Sequence, residues 1–366
     1  MGEGCPRLGG LSTCCEHVGP ERLLLRPPYS SLPFSMPATA QTVSDPIIDG
    51  LTGPLGLAVG SDGTVYVTQS SFATFSGSLT AVGKMETTEL VTGSIIDGVD
   101  ATGKGTVTYT TIGEDDDGFF AEIRQVQPNG KIRVVADTLA FEAENNPDQV
   151  NTYGFQGLTP ECAAQVPEEI GGEPYTGIVD SHPYKVTLVD GSRIVADAGG
   201  NDLLRISANG TVSVLAVLPP QPFDVTADAA AAAGVPECTV GSTYNFEPVP
   251  TDVELGPDGL LYVTLLPGGP EDPSLGARGA VYTVDPNTGD VAFVARGFLG
   301  ATDLAIAPDG TIHVTELFGD QISSVSGTGA QLVVEVTQPA AVELADGTLF
   351  VTINAFGNGS VVTITP

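Results

Sequence analysis

Seven polar side chains, His182, Lys185, Asp197, Asn201, Asp252, Asp303 and Glu316, are spaced so that a chain folding back on itself can gather them. Common reaction signatures are absent: the sequence contains no GxSxG, HExxH, P-loop or CxxC pair. As a group, carboxylates, an amide and an imidazole can hold a hard cation or a polar ligand. Oxygen ligands suit Ca²⁺, and Asp252, Asp303 and Glu316 form the smallest candidate metal set, with Asp197 as a further ligand. A metal-bound water there could attack a lactone or an ester. The simpler account pairs Lys185 with Asp252 on a neighbouring element, leaves the other acids at strand ends and requires no cofactor. Hydrolysis would also need a positioned base with a shifted pKa, so no residue is assigned a catalytic role.

These side chains meet only if repetition brings them together. "TDLAIAPDGTIHVTE" (302–316) returns as "TDVELGPDGLLYVT" (251–264), "LGLAVGSDGTVYVT" (55–68) and "AAVELADGTLFVT" (340–352). In each copy an alternating strand runs into an Asp-Gly turn and a second alternating strand, the strongest short hairpin signal. Turns fall at Asp62-Gly63, Asp190-Gly191, Asp258-Gly259, Asp309-Gly310 and Asp346-Gly347, and an eroded copy, "DATGKGTVTYT" (100–110), makes six. A second hairpin follows most copies, as in "LLRISANGTVSVLA" (203–216). Two hairpins per repeat, at 42–51 residues where no insertion intervenes, predict an all-β, six-bladed β-propeller over about 42–366. The last repeat is one strand short. "TVSDPIIDGL" (42–51) can supply that strand and remove an open edge.

Aligned, the repeats put Gly56, Lys185, Asp252, Asp303 and Ala341 just ahead of the inner strands. Gln69, Asp197, Leu265, Glu316 and Ile353 end the second strands. Both sets belong to one mouth of the central channel. His313 falls where other copies have Tyr66, Tyr262 and Phe350, so it reads as a packing residue between blades. "EDDDG" (114–118) lacks the flanking residues of a calcium loop and reads as a solvated turn. Two long insertions, at about 140–180 and 220–248, flank the third blade and should cap the same mouth. Each brings one cysteine, Cys162 and Cys238, expected to pair as a disulfide.

The net charge is −32, and the first 40 residues hold three acids and three bases, so the whole excess lies in 41–366. Such acidity argues against nucleic-acid partners and anionic lipid, and no apolar run is long enough for a membrane span. The remaining expectation is an exported single chain meeting a small ligand or a protein. Residues 1–40 carry Cys5, Cys14 and Cys15 without strand patterning. Their "ATA" (38–40) resembles a signal-peptidase site with no apolar core ahead of it, so the segment is expected to be an unstructured leader or a mis-assigned start.

"SHPYKVTLVDGSRIVADAGGNDLLRISANGTVSVLAVLP" (181–219), with "VPTDVELGPDGLLYVT" (249–264), resembles the ScyD/ScyE family of secreted six-bladed propellers, which are similar to NHL-repeat and SMP-30/gluconolactonase-like propellers. "VADAGGNDLLR" is the most specific phrase, and "AENNPD" (143–148) looks like the family's insertion after the second blade. The family tends to have Gly-Leu after "NPY", where this chain has Lys185-Val186 after "HPY". The resemblance implies a fold and an exported location, and no settled reaction. Two functions follow as expectations: a non-catalytic propeller binding a small ligand or protein at its capped mouth, or a metal-dependent lactonase-like hydrolase of SMP-30 type.

Overall fold

The computed structural model describes residues 41–102, 105–270 and 273–365, so the leader expectation for 1–40 lies outside the described residues. Among them, six antiparallel sheets follow one another along the chain. The first runs Leu57–Val59, Val65–Ser71, Ser76–Val82 and Thr87–Gly93; the second Val99–Thr102, Thr106–Asp115, Gly118–Val126 and Ile132–Asp137. The third comprises Pro183–Val189, Ser192–Asp197, Asp202–Ile206 and Val212–Val217; the fourth Pro250–Leu255, Leu261–Leu265, Gly279–Val284 and Val291–Phe298. The fifth holds Ala301–Ile306, Ile312–Glu316, Gln321–Ser326 and Gly329–Glu335, the sixth Val342–Ala345, Thr348–Ile353 and Gly359–Thr365. The early segment finishes the sixth sheet: Thr42 pairs with Thr365 and Ile48 with Val361.

The turns divide into two kinds. At Asp190-Gly191 and Asp346-Gly347 both residues have positive φ, as a two-residue primed hairpin requires. At Gly63, Gly259 and Gly310 only the glycine is left-handed. There the preceding aspartate bonds forward instead: Asp62 Oδ1 accepts from Thr64 N at 2.9 Å and Asp309 Oδ1 from Thr311 N at 2.9 Å. The acidic stretch at 114–118 is likewise a hairpin turn, with Asp115 Oδ1 accepting from Asp117 N at 2.9 Å.

Apolar side chains pack between sheets. One cluster joins the first sheet to the second through Tyr66, Leu79, Val107 and Tyr109. Others join each successive pair, and Leu57, Val67, Ala341 and Val361 join the sixth sheet to the first. A ring therefore closes, and burial is spread around it. The threonine ending each repeated phrase adds a polar stitch. Thr68 Oγ1 donates to the Asp97 carbonyl at 2.8 Å, and Thr264, Thr315, Thr110 and Thr352 are buried at corresponding joints. His313 is half-buried on the second strand of its sheet, and burial holds its pKa below the usual histidine value.

The insertions are more ordered than loops. Helix α1 (Thr138–Asn145) is capped by Asp137, and α2 (Pro160–Ala163) carries Cys162. Helix α3 (Ala227–Ala233) is capped by Thr226 and ends at left-handed Gly234. Four short strands, Tyr175–Thr176, Thr152–Gln156, Thr243–Phe246 and Gln221–Asp224, form a further sheet drawn from both insertions. Cys162 of the first insertion and Cys238 of the second are disulfide-bonded. No helix among the described residues is long and apolar enough to cross a membrane.

Candidate functional site

A cavity of about 440 Å³ opens at the mouth where the inner strands begin, lined by Leu55, Phe72, His182, Tyr184, Leu266 and Phe318 among others. Phe72 and Phe356 on its wall are 54% and 63% exposed, so the rim offers apolar ring faces to solvent. Phe318 stacks on Phe356 at 6.1 Å, and the His182 ring meets Phe72 and Tyr184 edge-on.

His182 is the imidazole on this wall, and it is held from behind. Its Nε2 lies 2.7 Å from Asp97 Oδ2, whose Oδ1 accepts from Ser70 Oγ at 2.8 Å. Its backbone N donates to Asp197 Oδ1 at 2.7 Å. Burial disfavours the imidazolium, but Asp97, with Asp197 and Asp180, outweighs it and raises the pKa above the ordinary value. The ring is thus fixed through Nε2 in an apolar setting, and Nδ1, which Asp97 does not engage, accepts a hydrogen bond when the ring is neutral and donates one when it is protonated. Asp97 is not among the sequence candidates, because it belongs to the eroded second copy, where the repeat alignment has no anchor.

The remaining candidates do not gather at one ion. The Lys185 ammonium hydrogen-bonds Asp303, correcting the expected partner Asp252, which instead accepts from Leu304 N at 2.8 Å. Burial works against that ammonium, yet Asp303, Asp252 and Glu343 hold its pKa above the usual lysine range. Glu316 is consumed locally, accepting from Leu299 N at 2.6 Å, Gln321 Nε2 at 2.8 Å and Ser323 Oγ at 2.5 Å. Asp252, Asp303 and Glu316 therefore do not fit a cation: a lysine ammonium takes the place of one, and the third member has no free oxygen geometry to offer. Asn201, left-handed at φ 55°, donates to Asp148 Oδ2 at 2.9 Å and accepts from Val249 N at 3.1 Å. It fastens the cap insertion to two sheets rather than facing the mouth cavity.

Below Lys185 the inner strands add Asp100, Glu254 and Glu343, which the repeat alignment does not single out. Burial is the largest cause in pushing Asp100 up to about 6 and Glu343 up to about 8, and it raises Glu254 as well. A carboxyl whose folded pKa exceeds its unfolded one stabilises most below the unfolded value and loses that contribution as pH climbs through the folded one. Glu343→Gln should therefore leave the unfolding midpoint near pH 4.5 within about 1 °C and raise it by roughly 2–6 °C at pH 8.5. Thermal unfolding at the two pH values checks this; a lower midpoint at pH 8.5 would contradict it.

No family model and no curated protein matches the chain. Solved structures do. A catalytically inactive histidine-to-alanine variant of virginiamycin B lyase from Staphylococcus aureus, with quinupristin, is 14% identical, with a TM-score of 0.50 over 89% of this chain and 99% of its own. A gluconolactonase from Xanthomonas campestris is 11% identical, with a TM-score of 0.52 over 87% and 88%. A luciferin-regenerating enzyme is 12% identical, with a TM-score of 0.50 over 89% and 96%. Likeness at this level shows the fold, a β-propeller.

Proposed function

We propose that the protein is an exported, six-bladed propeller of ScyD/ScyE type that acts as a single chain and binds a small, neutral, largely aromatic molecule at the mouth where its inner strands begin. The observation that carries this reading is an apolar cavity with half-exposed phenylalanines around one fixed histidine. A molecule with a polar group would hydrogen-bond His182 Nδ1, the nitrogen that Asp97 does not engage, while its rings cover Phe72 and Phe318. A net charge of −32 disfavours anionic ligands. The Cys162–Cys238 bond supports an oxidising, exported setting.

The neutral dye N-phenyl-1-naphthylamine tests the site, and without tryptophan in the chain its emission has little background. Binding should weaken about tenfold in Phe318→Ala, the loss expected for roughly 1.4 kcal/mol of aromatic contact. Tyr244→Ala, in a separate cavity walled largely by the two insertions, should change it little. A dye that does not bind, or that responds only to Tyr244→Ala, would overturn the reading.

A second reading is favoured by the Asp97–His182 pair: catalysis with His182 as general acid or base, positioned by Asp97. The virginiamycin B lyase structure, described as inactive with a histidine replaced by alanine, makes it worth testing. A metal-dependent lactonase mechanism through Asp252, Asp303 and Glu316 is not supported by their geometry. Turnover of any substrate found should then be abolished in His182→Gln while dye binding falls no more than about threefold.

A further inference from the structure

Two phrases that carry the family resemblance, "AENNPD" and "VADAGGNDLLR", come together where Asn201 donates to Asp148. Glu142 and Asp148 from the first insertion and Asp197 and Asp202 from the third sheet are each no more than 2% exposed. None of the ion pairs among the described residues reaches Glu142, Asp148 or Asp202. Unpartnered, buried oxygens remain on three of them: Glu142 Oε1, Asp148 Oδ1 and both carboxyl oxygens of Asp202. Three of the four carboxyls lie around Gly200. A methyl added at Gly200 would lie 3.4 Å from the Asp197 carboxyl carbon, 3.5 Å from Asp202 Oδ1 and 3.6 Å from Glu142 Oε2. One added at Gly177 would collide with Asp148 Oδ1. The backbone is bare where the carboxyls crowd.

We propose that this cluster is a cation site that closes on Ca²⁺, with Glu142, Asp202 and Asp148 as carboxylate ligands and Asp197 beside them. Three buried acids without a counter-charge, beside a fourth whose oxygens are already hydrogen-bonded, would be very costly, and a hard divalent ion is the partner that oxygen-only donors select. Among the described residues no three such side chains already converge at bonding distance. Ca²⁺ would draw Glu142 and Asp202 inward, a rotamer-scale movement for side chains whose outer oxygens have no competing hydrogen bond. Bound, it would clamp α1 and the turn at Pro147–Val150 to the third sheet. Asp197 also holds the His182 backbone, so the clamp adjoins the mouth without depending on any ligand there.

The test uses the full chain stripped with chelator and desalted. Tb³⁺ should bind at one site per chain with emission sensitised by Tyr153, whose hydroxyl donates to Asp148 Oδ2 at 3.1 Å. Ca²⁺ should displace it, and millimolar CaCl₂ should raise the unfolding midpoint by at least about 4 °C through preferential binding to the folded chain. Asp202→Asn, which keeps shape and removes charge, should abolish both effects; Glu142→Gln serves if that variant does not fold. A midpoint indifferent to CaCl₂, or Tb³⁺ emission unchanged in both variants, overturns the proposal and leaves protons as the cluster's counter-charge. Dye binding at the mouth is read separately, so failure of that site and of this one are distinguishable.

Discussion

Lys185→Met should lower the unfolding midpoint by roughly 4–8 °C at pH 8, the loss expected for a chain of this size when one partner of a buried ionic group is removed at about 3–5 kcal/mol. The lysine is 4% exposed, and Asp303 and Asp252 beside it are 3% exposed each. Methionine fills most of the stem's volume, so the packing loss is small and the electrostatic loss dominates. Without the ammonium, Asp252, Asp303 and Glu343 face one another with burial already raising the pKa of each. Their remedy is to take up protons. The deficit should accordingly shrink to less than half at pH 5 and grow as pH rises through the raised carboxyl pKa values. Equal losses at pH 5 and pH 8 would mean that shape, not charge, is what the lysine supplies.

The same lysine shows how far sequence carries. Repeated Asp-Gly turns between alternating strands announce a ring of hairpin sheets, and nearest-neighbour chemistry is enough for that. Thr42–Val43 and Ile48–Leu51 are legible as a missing outer strand because the last repeat visibly lacks one. The register across the ring is not legible. Lys185, Asp252 and Asp303 occupy equivalent places in the repeat, so alignment says that they are neighbours but cannot say which oxygen takes the ammonium; the third and fifth sheets prove to share it.

Glu316 looks free from its repeat position, which faces the mouth. It is not, since Gln321 and Ser323 on the next strand turn back to it, a contact set by hairpin twist rather than by spacing. Asp97 and Glu142 are hidden for the opposite reason: one sits in an eroded repeat, the other in an insertion with no repeat at all. The cap strands are hidden too. "TYGFQ" and "TYNF" are too short to stand out from loop sequence, and only their pairing, Phe155 opposite Tyr244, makes them strands. Local patterns specify the frame, and long-range contacts between non-repeating parts specify the site.

The cap supplies the second large effect. Cys162 and Cys238 are separated by 76 residues, and closing a loop of that length confers about 4 kcal/mol in the chain-entropy account. The enclosed residues include the whole third sheet, which stays folded when only the cap opens, so the constraint acts on a local equilibrium rather than on global unfolding. The cap's own apolar contacts, Phe155, Val166, Val225 and Ala230, form a small cluster apart from those that join the ring. Such a unit is expected to open by itself once untied. In Cys162→Ser with Cys238→Ser, amide exchange at Thr152–Gln156 and Thr243–Phe246 should accelerate by about 100-fold or more, while Ser192–Asp197 in the third sheet should stay within about twofold. Because the mouth cavity is lined by residues outside that cluster, dye binding there should survive the opening. Uniform acceleration across both regions would instead make the cap and ring one cooperative unit, with the disulfide stabilising the whole chain.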